Sequence, residues 1–437
     1  MISVANRSTP VIGCVRKRPF TASGRLVTAG TLPGMKVLRM YHAGRDAAHR
    51  ERDRALAEAG ADLTLVVPSQ WPGPDHLGDE DFRVIELPVL RPGDINRHTY
   101  ADPRMVADLI ADLTPDVVDI HEEPYSAAMH QLLGLLGPQQ AVVAYTAQNI
   151  DKRFPPPFAR WERAALRRLN GLYPCSRQAA SVAIGKGYAG PVEVLPLAAP
   201  AAMTAGDQRL DGDLRLLLVG RMVPEKGVLD AVRLLADARL SHARLQLVGE
   251  GPEVVRALEL AAALGVRDRL DISGWLDAGA LATHYRRAHI VLAPSRSTRS
   301  WTEQFGRMVV EAQACGAVVV GYASGALDEV IGNAGLTVPE GDEQALAAAV
   351  AGLATDPSRW NDLRTRGFEL AATRTWDAVA RHQMALYERA LAGPAPTASG
   401  RAAARETWGA PALDGVRPWA LPHLADRVRT RILGADR

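Results

Sequence analysis

Short runs of β-branched and leucine residues alternate with longer amphipathic stretches along most of this chain, in two successive series. VLRMY (37–41), DLTLVVP (62–68), VVDIH (117–121) and AVVAYT (141–146) form the first. LRLLLVGR (214–221), LQLVGEG (245–251), DISGWL (271–276), IVLAPS (290–295), AVVVGYA (317–323) and LTVPEG (336–341) form the second. Helical periodicity fills the intervals, at 48–59 and 102–113, then at 227–237, 253–264, 278–288, 303–315 and 342–355. Strand–helix–strand units of this kind predict parallel sheets covered by helices. Runs such as LLLV and VVV carry no polar alternation, as expected of strands buried on both faces. The fold class is therefore α/β: two facing Rossmann-like, doubly wound domains with a cleft between them, ligands lying at the carboxyl ends of the strands.

The same pattern predicts an N-terminal domain over 35–200 and a C-terminal domain over 201–375, meeting in the Ala/Pro/Gly-rich stretch 192–212, with a closing helix at 376–392. Residues 1–34 hold five basic side chains and no acid, and read as a disordered leader or a misassigned start; 393–437 read as a linker and a basic tail, with seven arginines against four acids. The net charge of +2 is thus the sum of basic ends and a core at −6. An acidic core without interleaved aromatic and basic residues argues against nucleic acid as a partner. Three scattered cysteines, Cys14, Cys175 and Cys315, exclude a disulfide scaffold and a clustered zinc site, and fit a reducing compartment. With no apolar run long enough to span a bilayer, the expected localisation is cytoplasmic. Arg160, Arg163, Arg167 and Arg168 form a basic helix flank, read as a solvated face, with peripheral contact at the inner membrane face as the other reading.

The segment PSRSTRSWTEQFGRMVVEAQACG (294–316) carries most of the chemical information. Glu303 and Glu311 are eight apart with Phe305-Gly306 between them, at the start of a helix. Backbone N–H groups at a helix start suit a diphosphate, Gly306 lets the backbone approach it closely, and Glu303 can accept hydrogen bonds from sugar hydroxyls. The first strand of the second series ends in Gly220-Arg221, and Lys226-Gly227 opens the next helix, so Arg221 and Lys226 are expected together at a strand end, able to neutralise a diphosphate. Gly249-Glu250-Gly251-Pro252 forms a tight turn after the next strand, a weaker signal.

Taken in this order, GRMVPEKG, GEGP, EQFGRMVVE and GYASGALDEVIG resemble the retaining GT-B glycosyltransferases of family 4 across 214–356, and only in architecture over most of 35–200. The resemblance implies that Arg221 and Lys226 bind the donor diphosphate and that Phe305 and Gly306 cap it. It further implies that Glu303 holds the transferred sugar and Glu311 the nucleotide ribose, with Gly220, Gly249 and Gly251 in the donor-binding turns. His121 stands where the family places a histidine near the donor sugar, and Gly44 where the backbone nears the donor phosphate. His42-Ala43-Gly44 replaces the family's Gly-Gly pair, and TAQN (146–149) stands where relatives often carry a histidine, which points to different acceptor chemistry. HEEPY (121–125) is not H-E-x-x-H, because position 125 is Tyr. The implied activity is transfer of a sugar from a UDP- or GDP-sugar to a hydroxyl acceptor in polysaccharide, glycolipid or natural-product synthesis, with no cofactor and no metal required. A non-catalytic nucleotide-sugar-binding protein and a GT-B epimerase are the alternatives.

Overall fold

The computed structural model describes residues 34–73 and 78–393; the leader, the tail and Cys14 lie outside the described residues. The first half contributes strands β1 (Lys36–Met40), β2 (Asp62–Pro68), β3 (Arg83–Leu87), β4 (Val89–Leu90), β5 (Thr99–Tyr100), β6 (Val117–Ile120), β7 (Ala141–Thr146) and β8 (Gly171–Pro174). The second contributes β9 (Leu214–Val219), β10 (Ala243–Val248), β11 (Leu270–Ser273), β12 (Ile290–Ala293), β13 (Val318–Tyr322) and β14 (Gly335–Val338). One sheet runs β3-β2-β1-β6-β7-β8 and the other β11-β10-β9-β12-β13-β14, every pair in both being parallel. β4 and β5 form a separate antiparallel ribbon.

With that ribbon set aside the two sheets have the same order, the doubly wound α/β arrangement that the sequence periodicity predicts. The order reverses between β1 and β6 in one sheet and between β9 and β12 in the other. Such reversals open a crevice at the carboxyl ends of the strands, where ligands bind. Alternate residues of β9 explain its apolar run LLLV: Leu214, Leu216 and Leu218 pack into one apolar cluster and Leu217 into the cluster on the opposite face.

Besides the β4–β5 ribbon, two strands escape the sequence reading. β3 is an edge strand with one of its five residues buried, and β8 is four residues long and ends in proline. The predicted helix 303–315 begins only at Arg307, behind Gly306 in the left-handed region at φ 81°. Other helices start on capping side chains: Ser126, Ser176, Asp277 and Asp342 each accept from the backbone N–H three residues on. Arg307–Cys315 has no side-chain cap.

The last described helix, Trp376–Ala392, packs against the helix Glu51–Glu58 and against β7 and β8 of the first half. Val379, Ala380, Leu386 and Tyr387 join Val37, Leu56 and Val143 in one buried cluster. A buried polar network crosses the same contact. The Asp119 carboxylate of β6 accepts from Arg39 of β1, from Tyr173 of β8 at 2.5 Å, and from Gln383 and Tyr387 of the last helix at 2.8 and 2.5 Å. Arg39 also pairs with Asp53 at 2.5 Å, and the Arg52 guanidinium lies 5.5 and 5.3 Å from the Tyr173 and Trp376 rings.

Candidate functional site

In the second sheet, Lys226 follows β9 and Glu303 lies in the loop after β12, so both stand at the reversal of strand order. Lys226 Nζ donates to Glu303 Oε2 at 2.5 Å, and Ser295 Oγ donates to the same oxygen at 2.9 Å. Among the described residues no group hydrogen-bonds Glu303 Oε1. Lys226 Nζ also lies 5.3 Å from the centre of the Trp301 ring, a cation–π contact. Arg221, just past the end of the same strand β9, is exposed and makes no ion pair among the described residues.

Behind this pair the helix Arg307–Cys315 starts uncapped, and the N–H groups of Phe305 and Gly306 find no protein acceptor among the described residues. Such groups at a helix start favour an anion. The loop is braced from below by the turn Ser324-Gly325-Ala326: Ala326 N donates to the Glu303 carbonyl at 2.9 Å, and a Cβ on Gly325 would lie 2.1 Å from that carbonyl oxygen. The glycine is required by a close backbone approach rather than by the turn alone.

Glu311 is placed differently from Glu303. It is buried on the helix, with Oε2 accepting from Tyr285 at 2.7 Å and Oε1 paired with Arg307 at 3.0 Å. Gly249 and Gly251 have a packing role, whereas a Cβ on Gly220 would meet only Lys226 Cε, at 3.8 Å. All three have positive φ, and Cβ atoms on Gly249 and Gly251 would lie 1.9 Å from the Gly220 carbonyl and 2.3 Å from that of Met222. The two turns are tied by Met222 N donating to the Glu250 carbonyl at 2.7 Å. Gly44 is likewise buried in a short 3-10 turn, its carbonyl accepting from Arg50 Nε at 2.5 Å. Cys315 is buried, and burial pushes its thiol up to about 12, which removes it as a nucleophile.

At the matching point of the first sheet, His121 follows β6. Its ring stacks on Tyr145 with centroids 4.1 Å apart, and Tyr41 meets it edge-on. Arg39 Nη2 lies 3.1 Å from His121 Nδ1. A guanidinium can only donate, so Nδ1 carries the lone pair and Nε2 the proton. Burial, then the Arg39 and Arg52 charges, push the pKa well below the ordinary imidazole value. His121 is therefore a neutral ring whose Nε2–H can donate to a hydroxyl.

Beside it stands a group that sequence reasoning missed. His42 Nδ1 is 2.7 and 2.8 Å from the two Glu122 oxygens, His98 Nε2 is 3.7 Å from Glu122 Oε1, and Trp71 packs on both imidazoles at 4.8 and 5.0 Å. Burial opposes the Glu122 charge, but the two imidazoles outweigh it and hold the carboxylate at about 2. His42 and Glu122 are 80 positions apart, so only the parallel pairing of β1 with β6 brings them together. The motif HEEPY was the available signal, read for the wrong spacing.

TAQN (146–149) joins the two halves. Glu123 accepts from Thr146 Oγ1 at 2.7 Å and from Ala147 N at 2.8 Å, Asn149 Nδ2 donates to the Glu303 carbonyl at 2.8 Å, and Gln304 Nε2 donates to the Ala147 carbonyl at 3.0 Å. Glu329 accepts from Arg177 N at the start of the helix Arg177–Gly185. The Glu303 backbone is thus fixed by residues of both halves.

The family model described as "Glycosyl transferases group 1" matches residues 205–369, and that described as "Glycosyl transferase 4-like domain" matches 53–198. A D-inositol 3-phosphate glycosyltransferase of Acidothermus cellulolyticus is 35% identical over 205 residues, 44% of each chain. A 2-deoxystreptamine N-acetyl-D-glucosaminyltransferase of Streptomyces fradiae is 31% identical over 179 residues, 40% of each chain. The matched part spans less than half the length of these curated relatives. Among solved structures, sucrose-phosphate synthase from Thermosynechococcus elongatus shares the fold at 21% identity and TM-score 0.64, covering 82% of this chain and 99% of its own. Anabaena Alr3699/HepE in complex with UDP and glucose does so at 16% identity and TM-score 0.59, covering 80% of this chain and 98% of its own. No helix among the described residues is long and apolar enough to cross a membrane.

Proposed function

We propose that this chain, which belongs to the group 1 glycosyltransferases of GT-B fold, moves a sugar from a nucleoside diphosphate to a hydroxyl acceptor and keeps the anomeric configuration. The observation that carries the reading is the group at the second sheet's reversal point: Lys226 paired to Glu303, Arg221 unpaired among the described residues, and an uncapped helix start at Phe305-Gly306. Cations and backbone N–H groups fixed around one point suit a leaving diphosphate, whose negative charge grows as the glycosidic bond breaks. Glu303, with Oε1 free of protein partners among the described residues, accepts from the sugar hydroxyls, and the neutral His121 donates to the sugar from the facing half. Glu311, already engaged by Tyr285 and Arg307, shapes the ribose pocket while offering its remaining lone pairs.

In the transfer step the acceptor oxygen forms its bond to the anomeric carbon on the face from which the diphosphate departs. The acceptor proton passes to the departing phosphate oxygen, so the protein needs no general base. Its own contribution is positioning and charge stabilisation. UDP is the favoured nucleotide, because the similarly folded Anabaena protein is described in complex with it. The acceptor is proposed to be a small polyhydroxylated ring, of the kind named for the D-inositol 3-phosphate and 2-deoxystreptamine relatives.

Proton NMR of the product tests the reading. With UDP-glucose or UDP-N-acetylglucosamine and a panel of cyclitol and sugar-phosphate acceptors, UDP release should accompany a new linkage with the α configuration of the donor. A β linkage would refute the retaining mechanism, and interconversion of the donor sugar without an acceptor would establish an epimerase instead.

A further inference from the structure

We propose that His42, His98 and Glu122 form a binding site for one divalent transition-metal ion, with zinc the best match, at the crevice end of the first sheet. The three side chains come from the end of β1, the loop leading into β5 and the end of β6, and their candidate ligand atoms all lie within 4.8 Å of one another. His98 is almost fully buried. Its Nδ1 lies 3.2 Å from the Asp94 carbonyl, so that nitrogen carries a proton, which leaves Nε2, facing Glu122, as the nitrogen that would give up its proton to a metal ion. A backbone carbonyl fixing the tautomer from behind is the usual support of a metal-bound histidine. The carboxylate is oriented too, since His42 N donates to Glu122 Oε1 at 3.1 Å.

A plain ion pair would need one imidazole for one carboxylate. Here two converge on it, and the Trp71 ring closes over both as an apolar wall that limits water access. Two imidazoles and a carboxylate suit zinc and its first-row neighbours rather than calcium or magnesium. Metal–ligand bonds of about 2.0–2.2 Å would set the ligand atoms roughly 3.4 Å apart in a tetrahedral site. His42 Nδ1 and the Glu122 oxygens, now 2.7 and 2.8 Å apart, would part slightly to admit the ion. Three protein ligands leave a fourth position for an outside oxygen, the mark of a site that holds a substrate rather than one that only staples the fold. On the transferase reading proposed above, that oxygen belongs to the acceptor, and the ion orients it. The expectation that no metal is needed came from the family resemblance and from linear spacing, and the third ligand comes from a loop that spacing cannot reveal.

The test uses the full-length chain without a polyhistidine tag, stripped with a chelator and titrated with cobalt(II) chloride. One equivalent should bind with the intense ligand-field absorption of a tetrahedral N/O site, and zinc(II) should displace it. His98→Ala and Glu122→Gln should each weaken binding by at least about 100-fold, whereas His121→Ala, beside the site but outside the ligand set, should keep it. Circular dichroism of each variant separates loss of the site from loss of the fold. Failure of the wild-type chain to bind stoichiometrically, or equal binding by both ligand variants, would overturn the proposal. No donor or acceptor is present, so that outcome would leave the transferase reading standing, just as an absence of transfer would leave the metal site standing.

Discussion

Replacing Lys226 with alanine should lower the rate of sugar transfer by about 10²–10³, the scale on which a fixed donor to developing negative charge contributes. The substitution removes a cation that lies 2.5 Å from Glu303 and leaves that carboxylate with Ser295 as its hydrogen-bond donor. Two effects follow: the diphosphate loses a counter-charge, and Glu303 can turn away from the sugar. Glu303→Gln separates them, because it keeps the side-chain shape and the cation while removing the charge. It too should lose transfer, and the double variant should be little worse than the poorer single one, since groups that act as a unit are not additive. Lys226 is partly exposed and Glu303 sits at the crevice, so unfolding midpoints should move little. Single-turnover kinetics with saturating donor would show the loss in the chemical step. Transfer within a fewfold of wild type in either single variant would remove these residues from the site.

The largest stability effect is expected far from the crevice. Asp119→Ala should destabilise the protein by about 3–5 kcal/mol, the usual cost of leaving a buried charge without its partner. Its carboxylate is fully buried and accepts from Arg39, Tyr173, Gln383 and Tyr387. Without it, Arg39 and Arg52 face Asp53 alone, and two donors of the helix Trp376–Ala392 are stranded. Asp119→Asn keeps an acceptor and should cost less. Denaturant unfolding by circular dichroism gives the free energies, and hydrogen exchange should show the last helix losing protection first. Because Arg39 also holds His121 Nδ1, the variant tests whether the crevice histidine depends on a network anchored by the chain's last described helix.

Both sheets were legible because strands buried on two faces leave uninterrupted apolar runs such as LLLV and VVV, whereas edge strand β3 and the four-residue β8 leave no such run. The residues proposed to hold the diphosphate were equally legible as a group, since a helix start, a glycine and a cation sit within short motifs. Its detail was not. Gly306 delays the helix to Arg307, and Glu311 meets Tyr285, a partner 26 positions away that no motif names. The glycines of GEGP are spent on backbone contact with Gly220 and Met222, a cause that local turn signals cannot distinguish from ligand contact. The first crevice was least legible. His42, His98 and Glu122 lie in three separate segments, and only the placement of β1 beside β6 gathers them.

Isothermal titration of UDP and of GDP into the full-length chain and its Arg221→Ala variant tests the central claim most directly, because it asks whether a nucleoside diphosphate occupies the crevice at β9 and β12. Arg221 is exposed and has no ion-pair partner among the described residues, so its loss should spare the fold and cost only its bonds to the diphosphate. Hydrogen bonds to a charged group contribute about 1.5–3 kcal/mol, or roughly 10- to 150-fold in affinity. The account predicts one UDP site per chain, weakened on that scale by Arg221→Ala. No binding of either nucleotide, or UDP binding unchanged in the variant, would contradict it.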